Sequence, residues 1–255
     1  MLSESINNKT NLENFSIMNC KIEENQMLLM LNSLKTCSNL KILNLSENPL
    51  KNSSKILAKT LQVMTNIEVV ALNNSKIGHS GFKTILQELK DKIVLKGLYL
   101  SGNEISDEGM AQTKTLLASD FKELKTLHLV NNNITEKGGS YFSVFLKLHT
   151  RLENLRLGNN KLKGKGIYYV LVEINGINQL NALDVGNNEI GDDGALEIEK
   201  FLNRYQKLAY LNVMNNEISE ESIISIRNIL KKQSTHCKIN VFGNNANDFY
   251  PKMHC

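Results

Sequence analysis

Residues 124–134 read LKTLHLVNNNI, and the same pattern returns as LENLRLGNNKL at 152–162, LNALDVGNNEI at 180–190 and LAYLNVMNNEI at 208–218. Successive copies begin about 28 residues apart, and a fixed period of that length is the signature of a repeat architecture. A single unit of this kind cannot bury its own apolar face, so the copies must stack on one another. The repeat therefore decides the fold of the chain.

Further copies extend the repeat toward both ends of the chain. Similar segments begin at Leu40, Ile67 and Leu95, and degenerate ones begin at Leu12 and His236. About nine turns account for nearly all 255 residues, so we predict a single domain over residues 1–255. Residues 1–39 are expected to form an N-terminal capping repeat. Residues 236–255 are expected to form a C-terminal capping repeat and tail, with Phe249, Tyr250 and Pro251 contributing to the cap.

Each copy predicts a short strand followed by a turn. Apolar residues alternate at positions such as Leu127 and Leu129, which is the period of a strand with one buried face. An asparagine then ends the strand, and its amide can hydrogen-bond backbone groups of neighbouring turns. We expect a ladder of asparagines, weakened where Cys20 and Ser75 occupy the same position. The asparagines are Asn48, Asn103, Asn132, Asn160, Asn188 and Asn216.

A helix is predicted after each turn. Capping oxygens and acidic residues suited to a helix start occur around Ser106, Thr135, Asp192 and Ser219. Stacked strand–turn–helix units place parallel strands on the inside and helices on the outside, and the wider helical layer bends the array into a horseshoe. Small residues six positions after the asparagine allow the first helical turn to pack closely on its neighbour. The glycines at this position are Gly81, Gly109, Gly138, Gly166 and Gly194.

Composition excludes several classes of partner and site. The net charge of +4 is spread along the chain, which argues against nucleic acid, and no apolar stretch is long enough for a membrane helix. Four scattered cysteines do not form a disulfide framework, so we predict a reducing, cytoplasmic compartment. The adjacent pairs His236-Cys237 and His254-Cys255 point to opposite faces of a strand and are poor zinc ligands, so no metal or cofactor is predicted.

The pattern LxxLxLxxNxIxxxG, followed by a helical LxxxL, resembles the ribonuclease-inhibitor-like subfamily of leucine-rich repeats over residues 12–246. The resemblance implies an α/β leucine-rich-repeat solenoid with parallel strands on the concave face and helices on the convex face. The subfamily includes ribonuclease inhibitors, the sensing regions of NOD-like receptors, Ran GTPase-activating proteins and effectors that intracellular bacterial pathogens inject into host cells. The small size and the Asn-, Lys- and Ile-rich composition are most similar to a bacterial effector or a protist protein.

Repeat proteins bind through the concave strand face, whose outward residues are free of the core pattern. One such residue per turn forms a lateral row in the middle of the sheet, and neighbouring columns add further large side chains. Tyr, Arg and Met on an exposed face are typical of protein-binding hot spots. The predicted partner-binding residues are Tyr99, His128, Arg156, Asp184, Tyr210, Met214 and Phe242.

A structural interpretation of the same row stays open. Arg156 and Asp184 could pair with each other across the sheet, and His128 could fill the space beside Tyr99. Two strand spacings separate His128 from Asp184, roughly 10 Å, so no catalytic triad is predicted. Residues 164–166 read GKG, which lacks the other residues of a phosphate-binding loop.

We therefore predict a non-catalytic interaction protein that binds one protein partner on its concave face as a monomer. It would act as an inhibitor or as an effector secreted into a host cell cytosol. The alternative is a GTPase-activating protein resembling the Ran-directed leucine-rich-repeat family. Members of that family usually carry a strongly acidic tail, whereas this sequence ends NDFYPKMHC, and this departure weakens the alternative.

Overall fold

Short strands and longer helices alternate along the computed structural model, which describes residues 2–115, 121–174, 176–177, 179–233 and 236–244. The described strands are β1 (Asn14–Ser16), β2 (Ile42–Asn44), β3 (Val69–Ala71), β4 (Gly97–Tyr99), β5 (Thr126–His128), β6 (Asn154–Arg156), β7 (Ala182–Asp184), β8 (Tyr210–Asn212) and β9 (Lys238–Asn240). The described helices are α1 (Leu2–Ile6), α2 (Glu24–Leu34), α3 (Ser54–Val63), α4 (Gly78–Leu89), α5 (Ser106–Gln112), α6 (Glu136–Leu148), α7 (Lys163–Ile174), α8 (Gly191–Arg204) and α9 (Glu220–Lys232).

The strands form one parallel sheet in sequence order from β1 to β9. Each strand pairs with the next in the register that the repeat predicts, so that Leu127 lies beside Leu98 on one side and Leu155 on the other. Because the middle residue of each strand points toward the helices, these leucines are buried. The first and third residues of each strand point to the opposite side, which we call the open face of the sheet.

The asparagine ladder is present. The Asn132 amide donates to the carbonyls of Leu100 and Val130, and its Oδ1 accepts from the backbone N–H of Asn103 and Ile105. The hydroxyl of Ser75, at the same position in its own turn, donates to the Asn73 carbonyl of that turn. The asparagine side chain thus connects two turns, whereas the described bond of the serine side chain stays within one.

Helix starts differ from the prediction at two of the four sites. Thr135 and Ser219 accept hydrogen bonds from the first turns of α6 and α9, as predicted. Ile105 and Ile190 are the N-cap residues of α5 and α8, and neither provides a side-chain cap. Ser106, predicted to cap, lies inside the first turn of α5.

The predicted acidic caps bond the following turn instead. Asp107 accepts from both the N–H and the hydroxyl of Thr135, at 2.8 and 2.6 Å, and Asp192 accepts from the N–H of Ser219 at 2.9 Å. The hydrogen bonds to Ser219 and Ser222 hold the pKa of Asp192 below its ordinary value. These aspartates therefore fasten one turn to the next.

The repeated glycines lie where helices come close to a neighbour. A Cβ on Gly194 would lie 2.2 Å from Cγ2 of Ile190 and 3.0 Å from the Cα of Gly164. A Cβ on Gly139 would lie 3.2 Å from the Cα of Gly166. The first turns of adjacent helices thus pack backbone against backbone.

Two further predictions concern the C-terminal cap and membrane-spanning helices. The predicted C-terminal cap at Phe249, Tyr250 and Pro251 and the pair His254-Cys255 lie outside the described residues. None of the helices in the described ranges combines the length and apolar character needed to cross a bilayer.

Candidate functional site

The register of the sheet brings four predicted binding residues side by side. Tyr99 pairs with His128, His128 with Arg156, and Arg156 with Asp184, each as the last residue of its strand. All four lie on the open face because they are one position from a buried leucine. We call them the central row.

Tyr99 and His128 form an aromatic pair. Their ring centroids are 4.7 Å apart, and the planes meet at 82°, an edge-to-face arrangement. Gly97 makes room for it, since a Cβ there would lie 3.0 Å from Cε2 of Tyr99. Sequence reasoning missed this glycine, which stands two residues before Tyr99 on the same face of the strand.

His128 is a neutral imidazole at physiological pH. Burial, helped by the nearby positive charge of Arg156, lowers the pKa of His128 from its ordinary value of 6.5 to about 4. The Asn154 side chain acts in the opposite direction and does not offset these two causes. Among the described residues, the buried Nε2 of His128 has no hydrogen-bond partner. The aromatic pair is therefore uncharged.

Arg156 and Asp184 do not form the ion pair that the structural interpretation allowed. Within the described part of the chain, Arg156 is exposed and has no carboxylate at salt-bridge distance. Oδ1 of Asp184 instead accepts from the Asn212 amide at 2.8 Å and from the Gly186 N–H at 3.1 Å. Asp184 is thus held within the sheet surface, and Arg156 is available to a partner.

The three remaining predicted residues lie toward the C-terminal end of the open face. Tyr210 and Phe242 are 37% and 49% exposed. Met214 is half-buried, with its sulfur 3.5 Å from the Asn240 amide. Met214 therefore packs within the open face and offers a partner less exposed surface than Tyr210 and Phe242 do.

The opposite end of the open face carries an apolar pair that was not among the predicted binding residues. Met18 is 46% exposed and Ile42 is 39% exposed. Alternation placed both on this face, in the columns beside the central row, although the predicted binding residues were chosen from the middle and the C-terminal end. The open face thus has a polar and aromatic middle, and each end carries exposed apolar side chains among polar ones.

Two of the described cysteines lack the features of an activated thiol. Cys37 is buried with its sulfur 3.6 Å from the Ile6 carbonyl, and burial raises the pKa of the Cys237 thiol, so neither is an activated nucleophile. Among the described residues no cluster of three or more His, Cys, Asp or Glu side chains could hold a metal ion. The surface offers noncovalent contacts.

Comparison with known proteins supports the repeat. The family described as Leucine Rich repeat matches residues 93–111, 123–143 and 178–198. FERM domain-containing protein C of Dictyostelium discoideum is 26% identical over 134 residues, which cover 50% of this chain. The matched region is 9% of that protein's own length, so this chain corresponds to a small part of it. The parallel sheet of the described residues and the three matched segments show that this chain is an α/β leucine-rich-repeat solenoid.

Proposed function

We propose that the protein is a non-catalytic interaction module that binds one protein partner on the open, concave face of its sheet. Leucine-rich repeats are in general a protein-binding scaffold, which supports the class of function. The observation that carries the proposed site is Arg156, an exposed guanidinium with no described ion-pair partner, beside the uncharged Tyr99–His128 pair.

The chemistry of the central row favours a particular kind of contact. An aromatic residue beside an arginine is the composition of interface hot spots, and a guanidinium binds a carboxylate through two parallel hydrogen bonds. Since Asp184 is already engaged by Asn212 and Gly186, the partner supplies the carboxylate for Arg156. The exposed apolar side chains of Met18 and Phe242 then contact apolar side chains of the partner.

Within this proposal the protein acts as a monomer in a cytosol, as an inhibitor or as an effector delivered into a host cell. The four cysteines of the sequence are too few and too scattered for a disulfide framework, which supports a reducing compartment. The second candidate is a GTPase-activating protein resembling the Ran-directed family. That activity would use loop residues near the strand ends, so it predicts a small GTPase that binds independently of the central row.

The test is affinity purification from lysates of the native cell and of a host cell, with wild type beside Tyr99→Ala/Arg156→Ala. Both changes remove side chains from the open face while the buried leucines stay, so folding is retained and one stoichiometric partner is lost. Thermal unfolding of each variant checks that the solenoid is intact.

A matched control carries the same substitutions on the helical face, Tyr168→Ala/Arg227→Ala, where both side chains are exposed. This control should retain the partner. Retention of every partner by the Tyr99/Arg156 variant would contradict the proposed site. Recovery of a small GTPase by both variants would favour the second candidate.

A further inference from the structure

A basic groove lies on the rim of the solenoid, where two strands lead into α6 and α7. It measures about 690 Å³, within the range of small-molecule sites. Four lysines line it, together with Tyr169, two other hydroxyl residues and two glutamates. The lining residues are Lys137, Lys161, Lys163, Lys165, Tyr169, Thr135, Ser140, Glu136 and Glu189.

The lysines are confined to two turns of the repeat. Lys137 and Lys165 stand immediately before the repeated glycine, a position that holds Glu108 in the preceding turn and Asp193 in the following turn. Lys161 follows the ladder asparagine, at a position that holds Asn133 one turn earlier and Glu189 one turn later, with lysine again only in the distant turns of Lys21 and Lys76. The repeat itself therefore does not require lysine, and at the position before the glycine the two lysines lie between acidic residues of the turns on either side.

The ammonium groups of Lys161, Lys163 and Lys165 are available to a ligand, while that of Lys137 lies 6.0 Å from the centre of the Tyr141 ring. Among the described residues, none of the four lysines has a carboxylate at salt-bridge distance, although Glu136 and Glu189 also line the groove. The hydroxyls of Thr135 and Ser140 donate to Asp107 and to the Lys137 carbonyl, so among the described residues of the groove the Tyr169 phenol is the hydroxyl left to donate to a ligand. An excess of positive charge faces an open cavity.

We propose that this groove binds a compact, multiply phosphorylated ligand. Lysines act as mobile point charges that suit clustered phosphates, and the groove contains no arginine fork of the kind that recognises a planar carboxylate. The acidic residues on either side oppose an extended polyanion, whereas a compact one fits between them. The site lies on the rim and is independent of the central row.

The test is calorimetric titration of the full chain with inositol hexakisphosphate, inorganic phosphate and a polyglutamate peptide. The variant is Lys161→Glu/Lys165→Glu, which introduces acidic residues like those the following turn carries at these positions and should therefore fold. We expect saturable one-to-one binding of inositol hexakisphosphate to wild type. The variant should bind it at least about tenfold more weakly, since one lost charge-assisted hydrogen bond accounts for that factor.

The matched control is Lys21→Glu/Lys76→Glu, which reverses two lysines that line a separate rim groove of about 290 Å³. The control should bind inositol hexakisphosphate like wild type. Equal weakening by both variants, absence of binding to wild type, or equally tight binding of polyglutamate would overturn the proposal.

Vesicles with and without phosphatidylinositol bisphosphate distinguish a soluble ligand from a lipid headgroup as the source of the phosphates. Binding to the bisphosphate vesicles that the Lys161/Lys165 variant loses would support the same groove with its phosphates presented on a lipid.

Discussion

Ser75 and Asn132 occupy the same position in different turns, yet they make different numbers of hydrogen bonds. The Asn132 side chain bonds its own turn and the turn before it, whereas the described bond of the Ser75 hydroxyl is to Asn73 in its own turn. Both side chains are fully buried, and the turn before Ser75 lacks the side-chain bonds that an asparagine provides, although the Leu50 N–H donates to the Ser75 backbone carbonyl instead. The asparagine ladder is therefore weakest at the turns where another residue stands in place of the asparagine.

Restoring the amide should strengthen the ladder. We expect Ser75→Asn to raise the free energy of unfolding by about 1 kcal/mol, because the new amide can bond the preceding turn. Urea unfolding followed by circular dichroism measures the change. The control is Ser80→Asn at an exposed position, where little change is expected. A lower stability for Ser75→Asn would show that this turn lacks space for the amide.

The lowered pKa of His128 predicts that the stability of the protein depends on pH. Its pKa is about 4 in the folded protein against an ordinary value of 6.5, so the unfolded chain binds more protons between these values. The contribution of His128 is therefore fully present above pH 6.5 and is lost as the pH falls toward 4. We expect the difference in melting temperature between pH 7 and pH 5 to be smaller in His128→Gln than in wild type. An unchanged difference would contradict burial of the neutral ring.

The sequence predicted which residues lie on the open face better than it predicted which side chains they bond. Alternation within each strand was enough to place Tyr99, His128, Arg156 and Asp184 in one row, and the register agrees. The choice of Asn212 over Arg156 as the partner of Asp184 depends on side-chain rotamers that no spacing encodes. The role of these residues in binding stays a prediction.

At the scale of elements, the helices depend on glycine for close packing. Alanine normally stabilises a helix relative to glycine, but a Cβ on Gly194 would lie 2.2 Å from Ile190. We expect Gly194→Ala to lower the free energy of unfolding by about 1–3 kcal/mol through overpacking, measured by urea unfolding. The control is Gly176→Ala, whose Cβ would meet its nearest described atom at 3.5 Å. Equal effects of the two substitutions would count against the packing argument.

The helix starts show where sequence reasoning reaches its limit. A capping side chain near a predicted start is informative when it belongs to the same turn, as Thr135 and Ser219 do. Asp107 and Asp192 have the composition of caps, but each reaches the next turn because the stacked neighbour presents an N–H within range. The competition between capping a residue's own helix and bonding the next turn arises from stacking and cannot be derived from one turn alone.

At the scale of the whole molecule, stability should vary from turn to turn. The first turn has Cys20 in the ladder, and its apolar residues Phe15 and Ile17 are only partly buried. We expect peptides covering residues 14–22 to exchange amide hydrogens faster than peptides covering 154–162, as measured by mass spectrometry. Cys20→Asn should reduce the difference. Uniform exchange across both segments would mean that the described turns unfold as one cooperative unit.

The ladder also constrains how such a chain can change in length. The Asn188 amide donates to Leu157 in the turn before it, and its backbone N–H donates to Asn216 in the turn after it. An insertion between a strand and its ladder asparagine would put these groups out of step, whereas an insertion of one whole turn would present matching bonding edges to both neighbours. The ladder therefore favours growth in units of about 28 residues. Internal duplication can lengthen the sheet and widen the surface for a partner without redesigning any existing turn.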